Sequence, residues 1–174
     1  MYTYMKKTLT LIIAFLIPVL IFADSTNSIQ YIKEKRIKWR NERFIDELIE
    51  KAGLVSNDDF IYLEEYNTDF SCGLILLKTR TFYYFDGGEI KQKKLADSVV
   101  KVFSKMNLHN TVKNDIGARD KSYYDVFIKN GEAINYALFD DAIKQGTENE
   151  TIEKDRQTVV RILDLLGLGI YYEW

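Results

Sequence analysis

Apolar residues recur along this chain with two different periods, and the alternation between them outlines the fold. Phe44, Ile45, Leu48, Ile49 and Ala52 share one face at i, i+3, i+4 spacing. That spacing predicts a helix over residues 28–52, stopped at Gly53, with a first half charged nearly all round. "FIYLEEY" (60–66) reads as a strand and "NTD" (67–69) as a turn. Two further runs, 73–78 and 81–86, are rich in aliphatic and aromatic residues and predict strands. "DGG" (86–88) signals a tight turn, with a short return at 89–91. Leu95, Val99, Val102, Phe103 and Met106 then fall on one helical face.

The segment 107–121 is polar and irregular. After it, "SYYDVFIKNGEAINYALFD" (122–140) predicts two strands joined by a two-residue turn at Asn130-Gly131, which sets Lys129 opposite Glu132 and Asp125 across from Tyr136. One face of this hairpin carries Tyr124, Val126, Ile128, Ala133, Ala137 and Phe139, a core pattern. The other carries Tyr123, Asp125, Phe127, Ile134, Tyr136 and Leu138 and is mixed. An acid-rich connector (140–155) offers Thr147 and Glu150 as a capping box. Ile152, Val159, Ile162, Leu163 and Leu166 form a last amphipathic stripe ending at Gly167, and "IYYEW" closes the chain as a tail or edge strand.

The predicted order is α-β-β-β-α-β-β-α. Hairpins joined by short connections imply an α+β domain, with three helices and a largely antiparallel sheet of about five strands. The first residues stand apart from it. Lys6 and Lys7 precede an apolar run from Leu9 to Ala23, and Asp24 follows at once. A basic start, a short apolar run and a small residue before a polar stretch read as a secretory signal peptide over 1–23, leaving 24–174 as one domain. If that segment is retained, it is a membrane tether.

Composition narrows the function. The 174 residues carry 24 Lys+Arg against 26 Asp+Glu. Removing the signal removes two lysines and no acid, so the exported chain is more acidic still and has little electrostatic drive toward nucleic acid. A single cysteine forms no internal disulfide, so the domain relies on its core. One His and one Cys are too few for a zinc site, no calcium-loop or nucleotide-binding pattern is present, and neither metal nor cofactor is expected.

Two chemistries remain. The first uses the aromatic residues. In "TFYYFD", Tyr83 and Phe85 share a face, and with Tyr123, Asp125, Phe127 and Tyr136 they outline a Tyr-rich, mildly acidic surface for another protein, or for a second copy of the chain. This surface fits a non-enzymatic, exported binding protein of a bacterial envelope, of inhibitor or immunity type. The alternative is a small thiol hydrolase or transferase with Cys72 as nucleophile and His109 as base. The density of Ile, Phe and Tyr after Cys72 favours strand over a nucleophile turn, and with it the binding protein.

Overall fold

The computed structural model describes residues 28, 30–35, 43–55, 57–66, 72–113, 123–140, 143 and 147–168. The expected signal peptide (1–23), the turn at 67–69 and the closing "IYYEW" lie outside them. Residues 30–35 are helical. The elements that follow are α1 (Arg43–Ala52), β1 (Phe60–Tyr66), β2 (Cys72–Leu76), β3 (Thr81–Asp86), β4 (Glu89–Lys94), α2 (Asp97–Phe103), β5 (Thr111–Lys113), β6 (Tyr123–Asn130), β7 (Ala133–Phe139) and α3 (Glu150–Leu166).

All strands join one seven-stranded sheet in the order β4-β3-β2-β1-β6-β7-β5. Every pairing is antiparallel except that of β5 with β7. The α+β class therefore holds, with a wider sheet than the periodicity implied. The additions are at the edges. β4 runs to Lys94, and five of its six residues are exposed, three of them lysines. Lysines on an edge strand discourage pairing with another chain, and they also hide the strand from a hydrophobicity pattern. β5 has three residues and pairs Thr111 with Ala137. Three residues are too few to show a period of two, and the pairing with β7 is what marks the strand.

β1 is the middle strand, and the alternation of its side chains splits the core in two. Ile61 and Leu63 point to a layer made by α2 and α3, together with Ile75, Phe82, Val126, Ile128, Ala137 and Phe139 from the sheet. Phe103, Met106 and Leu108 from α2 and the loop after it, and Val159, Ile162, Leu163 and Leu166 from α3, cover them. Phe60 and Tyr62 point the other way, with Cys72, Leu74, Leu76, Phe85 and Phe127. That face is covered by Ile32 of the first helical segment and by Ile45 and Leu48 of α1. Lys33 Nζ meets Asp46 Oδ1 at 2.7 Å and links the two helical pieces of this cover.

Two local expectations are corrected. The hairpin pairs Asn130 with Ala133, so its loop is Gly131-Glu132 and not Asn130-Gly131. Gly131 has φ +65° in the first central position, where a II′ turn needs a residue free of Cβ hindrance. Asp125 therefore faces Leu138, and Tyr136 faces Phe127. Moving the turn by one residue shifts each cross-strand partner by two, so the two facial sets are unchanged. The second correction is the cap of α3. Asn149, and not Thr147, is the N-cap, and its Oδ1 accepts from the N–H groups of Thr151 and Ile152 at 3.1 Å each. An Asn at that position satisfies two of the orphan donors of the first turn with one side-chain oxygen. Gly167 ends the helix with φ 76°, as the pattern predicted.

Gly73 marks the tightest approach in the sheet. A Cβ built there would overlap Phe82 Cε2 and lie 2.9 Å from Phe82 Cζ and 3.1 Å from the Tyr83 carbonyl oxygen. The Phe82 ring is buried and stacked on Tyr84, with centroids 4.9 Å apart, so it has little room to give way. Gly73→Ala is expected to cost about 1–3 kcal/mol through this overpacking. A thermal melt that matches the wild type would contradict the geometry.

Candidate functional site

The residues singled out by sequence divide between the two faces of the sheet. Tyr83, Phe85, Tyr123, Asp125, Phe127 and Tyr136 do share one face, but it is not an open patch. Phe85, Tyr123, Asp125 and Phe127 are buried, and Tyr83 and Tyr136 are half-buried. Phe44 of α1 meets Phe85 edge-on at 4.8 Å between centroids. Tyr31 meets Phe127 at 6.5 Å and Tyr136 at 6.3 Å, while Lys35 Nζ sits 5.9 Å from the Tyr31 centroid. Burial against these rings, with a smaller contribution from the Tyr136 phenol, pushes the Tyr31 phenol above its ordinary pKa. The chain's own N-terminal helices thus occupy the surface expected for a partner or a second copy, because aromatic side chains of this size are most stable when removed from water.

Cys72 and His109 do not form a couple. Cys72 is 1% exposed and packs in the core beneath α1. His109 follows Leu108, a core residue of the opposite face, and is bound to α3. The sheet stands between them. His109 instead makes a different pair. Its Nδ1 lies 2.7 Å from Oδ1 of Asp155, a carboxylate with no exposure, and its backbone N–H donates to Asp155 Oδ2 at 2.9 Å. The Thr111 hydroxyl donates to the same Oδ2. Asp155 therefore collects donors from the loop that joins α2 to β5 and fastens that loop to α3. A charged acceptor inside the protein is stable only when donors surround it in this way. The imidazole is half-exposed, and Asp155 fixes its orientation.

On the same face of the sheet a groove lies between α3 and α2 with the turn that follows it. Its cavity volume is about 840 Å³, and Val102, Met106 and Val160 form its apolar part. Lys101 and Lys105 line one side, and Lys154, Arg156 and Arg161 the other, with Asp164 the one acid. Arg156 is already engaged. Its Nε and Nη2 grip the two oxygens of Glu153 at 2.8 and 2.6 Å, and its Nη1 donates to the Ile143 carbonyl at 3.0 Å. The Arg156 fork holds the Glu153 carboxyl down at about 2. Lys101, Lys105, Lys154 and Arg161 are exposed, and none pairs with a carboxylate among the described residues.

The sequence held one trace of this groove. Lys101 and Lys105 are four residues apart, and Lys154 and Arg161 seven apart, each pair on the polar side of an amphipathic stripe. A charged helix face is ordinarily just solvated, and only the packing of two helices some fifty residues apart in the chain makes these four a set. Among the described residues no helix is long and apolar enough to cross a membrane. No three His, Cys, Asp or Glu side chains there are placed to hold a metal ion. Comparison with family models, with curated proteins and with solved structures returned no match.

Cys72 should resist alkylation at neutral pH until the chain is denatured; rapid modification of the folded protein would contradict its burial. Asp155→Ala should destabilise by about 3 kcal/mol, since it strips the acceptor from buried donors. His109→Ala should cost about 1 kcal/mol, as the ring is half in solvent. Hydrogen exchange should place the loss of protection in Asp155→Ala first at residues 106–113; uniform loss over the sheet would argue against the loop's dependence on this carboxylate.

Proposed function

We propose that this chain is an exported, non-enzymatic binding protein of inhibitor or immunity type, and that it holds another protein through the groove between α2 and α3. The observation that carries the proposal is charge segregation. A chain with an excess of acids presents four cations unpaired among the described residues around one apolar-floored concavity. Exposed lysines cost little when scattered, but gathered around a groove they repel one another. An anionic partner relieves that repulsion and is steered toward the groove by it.

Export rests on the N-terminal pattern of Lys6, Lys7 and the apolar run to Ala23. The case against the thiol reading rests on the sheet that separates Cys72 from His109. A nucleophile and its base must come within hydrogen-bond reach.

The test is capture by the full chain from an envelope extract of its own host, followed by identification of what is retained. Stoichiometric retention at low salt, lost in Lys101→Glu/Arg161→Glu and kept in Lys51→Glu/Lys78→Glu, is the expected result. Retention indifferent to the groove charges would remove the groove from the function. Turnover abolished by Cys72→Ser would replace binding with thiol chemistry.

A further inference from the structure

The groove has more to say about what it holds, on the premise that it is the working surface. Its four cations do not converge on a point. Lys154 and Arg161 are seven residues apart on α3, a rise of about 10 Å, while on the other side Lys101 lies in the last turn of α2 and Lys105 in the turn beyond it. A single phosphate or carboxylate is bound by donors that meet at one place, as at a helix N-terminus or a phosphate loop. Cations spread along two walls suit several negative charges spaced along a chain. Between the walls, Val102, Met106 and Val160 ask for apolar contact.

We propose that the groove takes an acidic peptide segment of a protein partner, with carboxylates reaching Lys101 and Lys105 on one side and Lys154 and Arg161 on the other. An aliphatic side chain between those carboxylates covers Met106 and Val160. The shape separates this occupant from a lipid surface, since a planar array of headgroups meets convex basic patches and does not reach a concave apolar floor. The lining separates it from a nucleic-acid strand, which stacks its bases on aromatic side chains, and the groove has none among the described residues. Asp164 gives the groove a polarity. It is the one acid of the lining, three residues beyond Arg161, so it repels the acidic segment at that end and favours its placement toward Lys154.

The experiment titrates the full chain into a short fluorescent peptide of glutamate and leucine and reads anisotropy. Binding at low salt should weaken by about tenfold at physiological ionic strength, because exposed pairs are screened there. Lys101→Glu/Arg161→Glu should weaken it by about tenfold or more, while Lys51→Glu/Lys78→Glu, on the far helix and the β2–β3 turn, should leave it unchanged. Asp164→Asn should tighten it, a gain that a damaged fold does not produce. Peptide binding that ignores the groove variants overturns the proposal. So does stronger association with phosphatidylglycerol vesicles, or displacement of the peptide by millimolar inorganic phosphate. Should the peptide fail to bind while the same variants still release the captured partner, the acidic segment is wrong and the groove stands. Should capture also ignore the variants, the groove reading falls with it.

Discussion

Asp155 is a carboxylate with no access to water, and much of the helix layer depends on how it is satisfied. Its donors come from His109 and Thr111, which flank the entry to β5. The chain there has just left α2 and must reach the far edge of the sheet, where β5 pairs over only three residues. Three residues of parallel ladder are a weak attachment. A buried charge that has lost its donors is far costlier than an open loop, so the loop cannot leave without a large penalty. The carboxylate on α3 therefore holds the whole α2-to-β5 connection in place. Phe103 and Leu108, fully buried in the core, anchor the same connection from its other side.

The opposite face of the sheet obeys a different constraint. An antiparallel sheet whose strands are apolar on both sides needs a cover on each. α2 and α3 can serve one face only. The other is left to the N-terminal helices, and Tyr31, Ile32, Phe44, Ile45 and Leu48 supply the contacts. Ile32, Ile45 and Leu48, all buried, each contribute about 2 kcal/mol relative to exposure. This explains why an aromatic-rich strand such as Thr81–Asp86 is no sign of an interaction surface by itself. Aromatic side chains are good partners for other proteins and equally good partners for the chain's own helices. What decides is whether the chain has a spare amphipathic helix, and this one does.

With the aromatic face closed, the open chemistry lies in the helix layer. Net charge conceals it, because an acidic total says nothing about where the few unpaired bases are. Arg156 shows the contrast. It lines the same groove but is neutralised by Glu153 and tied to Ile143, so it shapes the wall. The neighbouring Lys154 and Arg161 have no such partner among the described residues and remain available.

The amino-acid sequence by itself determined the α+β class, the amphipathic faces of α1, α2 and α3, the Gly167 stop and the two faces of the β6–β7 hairpin. Each follows from periods of 2 and 3.6 residues, which are local and survive a shifted turn. It left β5 unmarked, because the three residues of "TVK" are too few to show a period, and it placed the α3 cap two residues early, because Thr147 and Asn149 both offer the right oxygen. The functional surface was legible only in part. Which side of the sheet each helix covers, how Cys72 is parted from His109, and how Lys101 and Lys105 come to face Lys154 and Arg161 are relations between segments far apart in the chain. Local pattern does not carry such relations. They are fixed by the packing of two helices on one face and two on the other, and by the one buried carboxylate that holds a loop against α3.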